Sequence, residues 1–149
     1  MVTEPDLRFC GLSLYVDRRQ FPDASDYWDG NWLMIRVRME TLGALVECAG
    51  PILMTADIER FRDQLKAMAD TLAGEATLAG LEPELNMTLK MKQRGHVVGV
   101  VEITPDHLNQ QHRFQVEADQ SYLPALILSC NTILSRFPVI NTSERGQSV

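Results

Sequence analysis

Apolar and polar side chains alternate with period two through most of this chain, and only two stretches carry helical spacing instead. From Trp32 onward, Leu33, Ile35, Val37 and Met39 fall on one face, and Trp32, Met34, Arg36 and Arg38 on the other. Leu85, Met87, Leu89 and Met91 alternate with Asn86, Thr88, Lys90 and Lys92. Successive strand side chains point to opposite faces, so each pattern demands a sheet with one buried side. Short turns join such stretches at Thr41-Leu42-Gly43 and Gln93-Arg94-Gly95. Hairpin turns can connect only antiparallel neighbours, and two helices are too few for parallel crossovers. The expected fold is therefore α+β. It is a mainly antiparallel sheet of about six to seven strands, covered by two helices at about 55–73 and 120–136.

The remaining elements follow the same logic. Leu7 to Val16 reads as one interior strand, apolar on both faces. Ala44 to Cys48 pairs back on the Trp32 strand, and Gly50-Pro51 is expected to break it. Further strands are expected at Ala76 to Leu81, His96 to Thr104 and His112 to Asp119. In the first helix Ile58, Phe61, Leu65, Met68 and Leu72 make one apolar stripe, with Thr55 as N-cap and Gly74 as the stop. Its other face offers Asp57–Arg60, Glu59–Arg62 and Asp63–Lys66, which read as a solvated surface. The last helix is capped by Asp119 or Ser121 and admits Pro124 in its first turn. Asn141 to Val149 is a polar tail expected to fray.

A chain of 149 residues is expected to form one domain. It can bury roughly 70% of its unfolded surface and needs no metal or disulfide for stability. The net charge of −6 argues against binding nucleic acid through phosphate contacts and suits a basic protein partner. The three cysteines, Cys10, Cys48 and Cys130, are far apart and read as reduced thiols. The N-terminal residues lack a signal-peptide pattern, and no apolar run approaches the ~18 residues of a membrane span. A cytoplasmic location without membrane contact is the expectation.

Asp17 to Asn31 reads as a long polar loop, with three acids and no base from residue 20 to residue 31. Long loops without structure of their own are often functional. Asp29-Gly30-Asn31 has turn chemistry, with Gly30 free to take positive φ. Asp23, Asp26 and Asp29 lack the alternate-residue ligands and terminal glutamate of a calcium loop. His96, His107 and His112 lack zinc spacing, and no nucleophile or phosphate-binding motif is present. The sequence thus nominates no catalytic, cofactor or metal residue. Asp23, Asp26, Tyr27, Trp28 and Asp29 are the candidates for partner binding: aromatic anchors in an acidic rim. Packing of the rings against the sheet is the competing reading, with Trp28 or Trp32 expected to bury much of its ring. Arg36, Arg38, Lys90 and Lys92 would form a basic stripe if their strands shared a face, although ordinary polar alternation explains them more simply.

Tyr27-Trp28-Asp29-Gly30-Asn31-Trp32-Leu33, then Arg60-Phe61, then Tyr122-Leu123-Pro124-Ala125-Leu126 and Phe137-Pro138, resemble the WapI-type family of bacterial immunity proteins. The resemblance runs from about Phe9 to Pro138. It implies a non-catalytic protein that neutralises a cognate bacterial toxin by binding, and it carries over no contact residues. The alternative is a small-ligand or scaffold-binding module with a cleft between sheet and helices. Oligomeric state is left open.

Overall fold

A computed structural model describes residues 4–141. The chain is α+β and antiparallel throughout, but its eight strands divide between two sheets. The first sheet is a meander of β1 (Leu7–Phe9), β2 (Leu12–Arg19), β3 (Trp32–Thr41) and β4 (Ala44–Met54). A one-turn helix, α1 (Tyr27–Gly30), interrupts the β2–β3 connection. Helix α2 (Thr55–Thr71) then carries the chain to the second meander. This comprises β5 (Glu75–Ala79), β6 (Leu85–Met91), β7 (His96–Ile103) and β8 (Arg113–Asp119). A 3-10 turn at Gln120–Tyr122 leads into α3 (Leu123–Arg136). Four strands and a helix therefore occur twice in succession, a repeat of architecture that the residues do not spell out.

The inner faces of both sheets and the two long helices share one core. Leu33, Ile35, Val37 and Met39 are buried, as are Leu85, Met87, Leu89 and Met91, in keeping with their alternation. Ile58, Phe61, Leu65 and Met68 of α2 meet Leu123, Leu126, Cys130 and Ile133 of α3 in the same cluster. Leu72 departs from the expected stripe. It takes the left-handed conformation that ends α2, at φ 52°, and is half exposed.

Three local expectations give way to tertiary structure. Leu7 to Val16 is a hairpin, not one strand: Phe9 pairs with Leu12 across Cys10 and Gly11, whose φ angles are 48° and 93°. Gly11 has no alternative there, because a Cβ would sit 2.4 Å from the Glu40 carbonyl oxygen. Gly50-Pro51 does not break β4. Leu53 pairs with Leu33 and Pro51 with Met34, so Ile52 is the extra residue of a bulge. Proline is tolerated because β4 is an edge strand. Thr55 is not the N-cap of α2 but its first residue. The Met54 N–H is instead capped by the Asp57 carboxylate at 2.8 Å. The expected polar tail falls outside the described residues from residue 142 onward.

All three cysteines are free thiols. Burial pushes the Cys130 thiol up to about 12 from 9.0, with Arg62 opposing weakly. The folded state therefore holds this proton more tightly than the unfolded chain. The associated stability is intact below pH 9 and is lost as pH rises towards 12. We expect Cys130→Ala to flatten the alkaline fall in stability, measured as the difference between variant and unsubstituted unfolding free energies from pH 8 to 11. A pH-independent difference would refute the assignment.

Candidate functional site

The 23–29 segment is built around a buried asparagine. Asn31 is fully buried and ties three parts of the chain together. Its Nδ2 donates to the carbonyl oxygens of Tyr27 (2.9 Å) and Ile140 (3.1 Å). Its Oδ1 accepts from the Thr55 hydroxyl (2.6 Å) and the Ile140 N–H (2.8 Å). Its backbone carbonyl accepts from the Thr55 N–H at 2.9 Å. Helix α1, the start of α2 and the segment after α3 are thereby fixed to one side chain. Arg19 adds a clamp by donating to the carbonyls of Gly30 (2.7 Å) and Pro138 (2.5 Å).

Gly30 does not adopt positive φ, contrary to its reading as a turn glycine. The requirement is space: a Cβ would lie 2.7 Å from Ile140 Cδ1 and 3.0 Å from the Ala24 carbonyl oxygen. Asp26 caps α1, its carboxylate accepting from the Asp29 N–H at 3.1 Å. Four residues cannot sustain a helix alone, so cap and anchor together hold this turn.

The acids therefore have different roles. Asp26 is half-buried and structural, whereas Asp23 and Asp29 are exposed. We expect Asp26→Ala to cost about 1 kcal/mol of stability as a lost cap. Asp23→Asn and Asp29→Asn should shift the melting temperature by no more than about a degree. Equal melts for the three variants would contradict this division.

Of the two tryptophans, Trp32 at the start of β3 is the one that buries much of its ring, and Trp28 is 57% exposed. The Tyr27 and Trp28 rings meet edge to face, with centroids 5.0 Å apart and an interplanar angle of 88°. Beside them stands Arg60 of α2, which donates to Asp57 (2.8 Å) and to the Ala79 carbonyl (3.2 Å). Asp57 is itself buried and close against Gly80, where a Cβ would meet its Oδ2 at 2.5 Å. The site thus joins α1, the first turns of α2 and the end of β5. Sequence reading missed Arg60, Glu59, Asp63 and Leu81 as its neighbours. Of the α2 charge pairs, Asp57–Arg60 forms, whereas Arg62 bonds Asp63 at 3.0 Å rather than Glu59.

The strands of the conjectured basic stripe do not share a sheet: Arg36 and Arg38 belong to the first, Lys90 to the second, and Lys92 follows the end of β6. Arg36 is held by Asp17 through Nε at 2.9 Å and stacks over Tyr15 at 4.4 Å. Among the described residues, no group of three or more His, Cys, Asp or Glu gathers as metal ligands would. No helix among them is long and apolar enough to cross a membrane. Phe61, Leu65 and Met68 fill the space under α2. A hollow of about 630 Å³ lies on the outer face of β6–β8, lined by Lys90 and Arg113 together with Glu102 and Glu117.

The model of the immunity protein WapI-like family matches residues 5–138. This chain belongs to that family. The family resemblance rests partly on residues that hold the Trp28 loop in place: Asn31 as its anchor, and Phe61, Leu123 and Leu126 as core. Tyr122 meets the Phe9 ring at 6.1 Å, and Phe137 receives Arg136 at 5.0 Å. Trp28 and Tyr122 are the large apolar side chains of these motifs left exposed.

Among solved structures, the chain is similar to one in the CdiA-CT/CdiI toxin and immunity complex from Enterobacter cloacae. The identity is 10% and the TM-score 0.46, covering 81% of this chain and 99% of that one. WHY1 from Arabidopsis thaliana is similar at 9% identity and a TM-score of 0.48, covering 87% and 83%. The plant transcriptional regulator PBF-2 is similar at 8% identity and a TM-score of 0.46, covering 89% and 85%. No curated protein matches.

Proposed function

We propose that this protein neutralises a cognate bacterial toxin by binding it, without catalysis, using the 23–29 segment as a contact surface. Membership of the immunity family over residues 5–138 carries the reading. The geometry supports it in two ways. Trp28 is held out to solvent on an anchored turn, as an interface anchor must be, and an exposed aromatic in a preorganised segment loses little entropy on binding. The nearby acids Asp26 and Asp57 are already committed to capping α1 and α2, which leaves them as scaffold rather than as proton-transfer groups. The exposed Asp23 and Asp29, together with the net charge of −6, suit a basic toxin domain. The free thiols suit the cytoplasm, where they stay reduced.

The test is co-expression with the toxin domain encoded beside this gene. Growth should be restored, and the purified pair should associate more slowly as salt rises. Asp23→Asn with Asp29→Asn should slow association while leaving dissociation and melting nearly unchanged. Failure to rescue cells from any neighbouring toxin domain would sink the proposal.

A further inference from the structure

We infer that the binding surface extends from Trp28 across the exposed face of α2, and that its occupant is a basic segment of the toxin presenting a cationic side chain next to an apolar one. This rests on the toxin-binding reading above. Two hollows lie on either side of Arg60, and Tyr27 lines both. The first, about 430 Å³, is bounded by Tyr27 and Val139 and carries Glu59 and Asp63. The second, about 410 Å³, lies between Trp28 and Leu81 and is lined by Met54, Thr77 and Ala79.

The two hollows differ in chemistry. Arg60 separates them, and its charge is matched by Asp57 at 2.8 Å, so it does little to offset the remaining acids. Among the described residues no cation pairs with Glu59 in the first hollow, and Asp63 pairs with Arg62 at 3.0 Å. The adjoining loop adds Asp23, Asp26 and Asp29 with no base among residues 20–31. A cation fits there, and a neutral or acidic partner would leave carboxylates desolvated and unpaired. The second hollow is rimmed by two apolar side chains without cover, Trp28 at 57% exposure and Leu81 at 73%. An apolar side chain seated between them removes that surface from water. Polyanionic nucleic acid is disfavoured by the same acids. The larger hollow on the outer face of β6–β8 shows no such preference, because its cations and acids are mixed.

The experiment measures association and dissociation rates of the full chain with the toxin domain encoded beside its gene. Glu59→Lys with Asp63→Lys should slow association about tenfold or more at low salt, with the difference shrinking as salt rises. Trp28→Ala with Leu81→Ser should speed dissociation about tenfold or more and change association little. Glu102→Lys with Glu117→Lys makes the same change in net charge on the second sheet and should leave both rates unaltered. Melting curves establish that each variant is folded, and Glu59→Gln with Asp63→Asn provides a milder charge change. If the unsubstituted chain binds while the α2 variants match it, the inferred surface is wrong. Loss of binding in the second-sheet variant instead would also overturn it. No binding by the unsubstituted chain would overturn the toxin-binding reading, and the surface with it.

Discussion

Replacing Asn31 by alanine should destabilise the protein by about 4 kcal/mol, because four side-chain hydrogen bonds are lost inside the fold and each is worth about 1 kcal/mol or more when its partner is left buried. The groups left behind are the Tyr27 and Ile140 carbonyls, the Ile140 N–H and the Thr55 hydroxyl, and water cannot easily reach a site where Asn31 itself is 0% exposed. For a domain of this size the loss corresponds to a fall in melting temperature of about 10 °C. The substitution should also release α1 from the start of α2, so affinity for the toxin should fall even below the melting transition. Asn31→Asp keeps the acceptor, loses the donor and buries a charge, and should not rescue either property. A melting temperature within about 2 °C of the unsubstituted protein would show that Asn31 does not hold the site together.

Phe61→Ala should cost a comparable amount, about 3–5 kcal/mol. Phe61 is 0% exposed and belongs to the cluster shared by both sheets and both long helices. Alanine would leave a cavity that the two packed helices cannot collapse without moving the sheets they cover. Phe61→Leu retains most of the volume and should cost roughly 1.5 kcal/mol or less. Urea denaturation separates the two outcomes, with the midpoint shifting and the slope unchanged. Arg60 and Phe61 are adjacent but face opposite ways, one to the site and one to the core. Toxin affinity measured well below the melting transition should therefore survive Phe61→Ala, in contrast to Asn31→Ala. Equal loss of affinity in both variants would mean that the site depends on the whole core rather than on its own anchor.

The strands were legible where a strand is half buried, because burial of one face imposes period two on the residues. β3 and β6 are of this kind, and the apolar residues of their inward faces are all buried. The Cys10–Gly11 turn escaped detection because apolar residues continue through it and a cysteine seldom adopts φ near 48°. The β4 bulge escaped because an extra residue is defined only against its partner strand, here β3. The roles of the acids were similarly hidden. Asp23, Asp26 and Asp29 are equivalent in spacing and composition, and only the position of the Asp29 N–H makes Asp26 a cap.

What the sequence determined by itself is the α+β class, most strand and helix positions, the anionic character and the family resemblance later matched over residues 5–138. These are local or summed properties: periodicity, turn chemistry, charge and motif order. Only tertiary structure decided that eight strands split into two sheets, that Trp28 faces solvent, and that Arg60 and Leu81 stand beside it. The physical reason is that pairing and exposure depend on what arrives from elsewhere in the chain. A helix crossing from β4 to β5 can start a new sheet as readily as extend the old one. An aromatic ring is buried only if another segment covers it, and at Trp28 the chain supplies an open hollow and leaves the side chain 57% exposed.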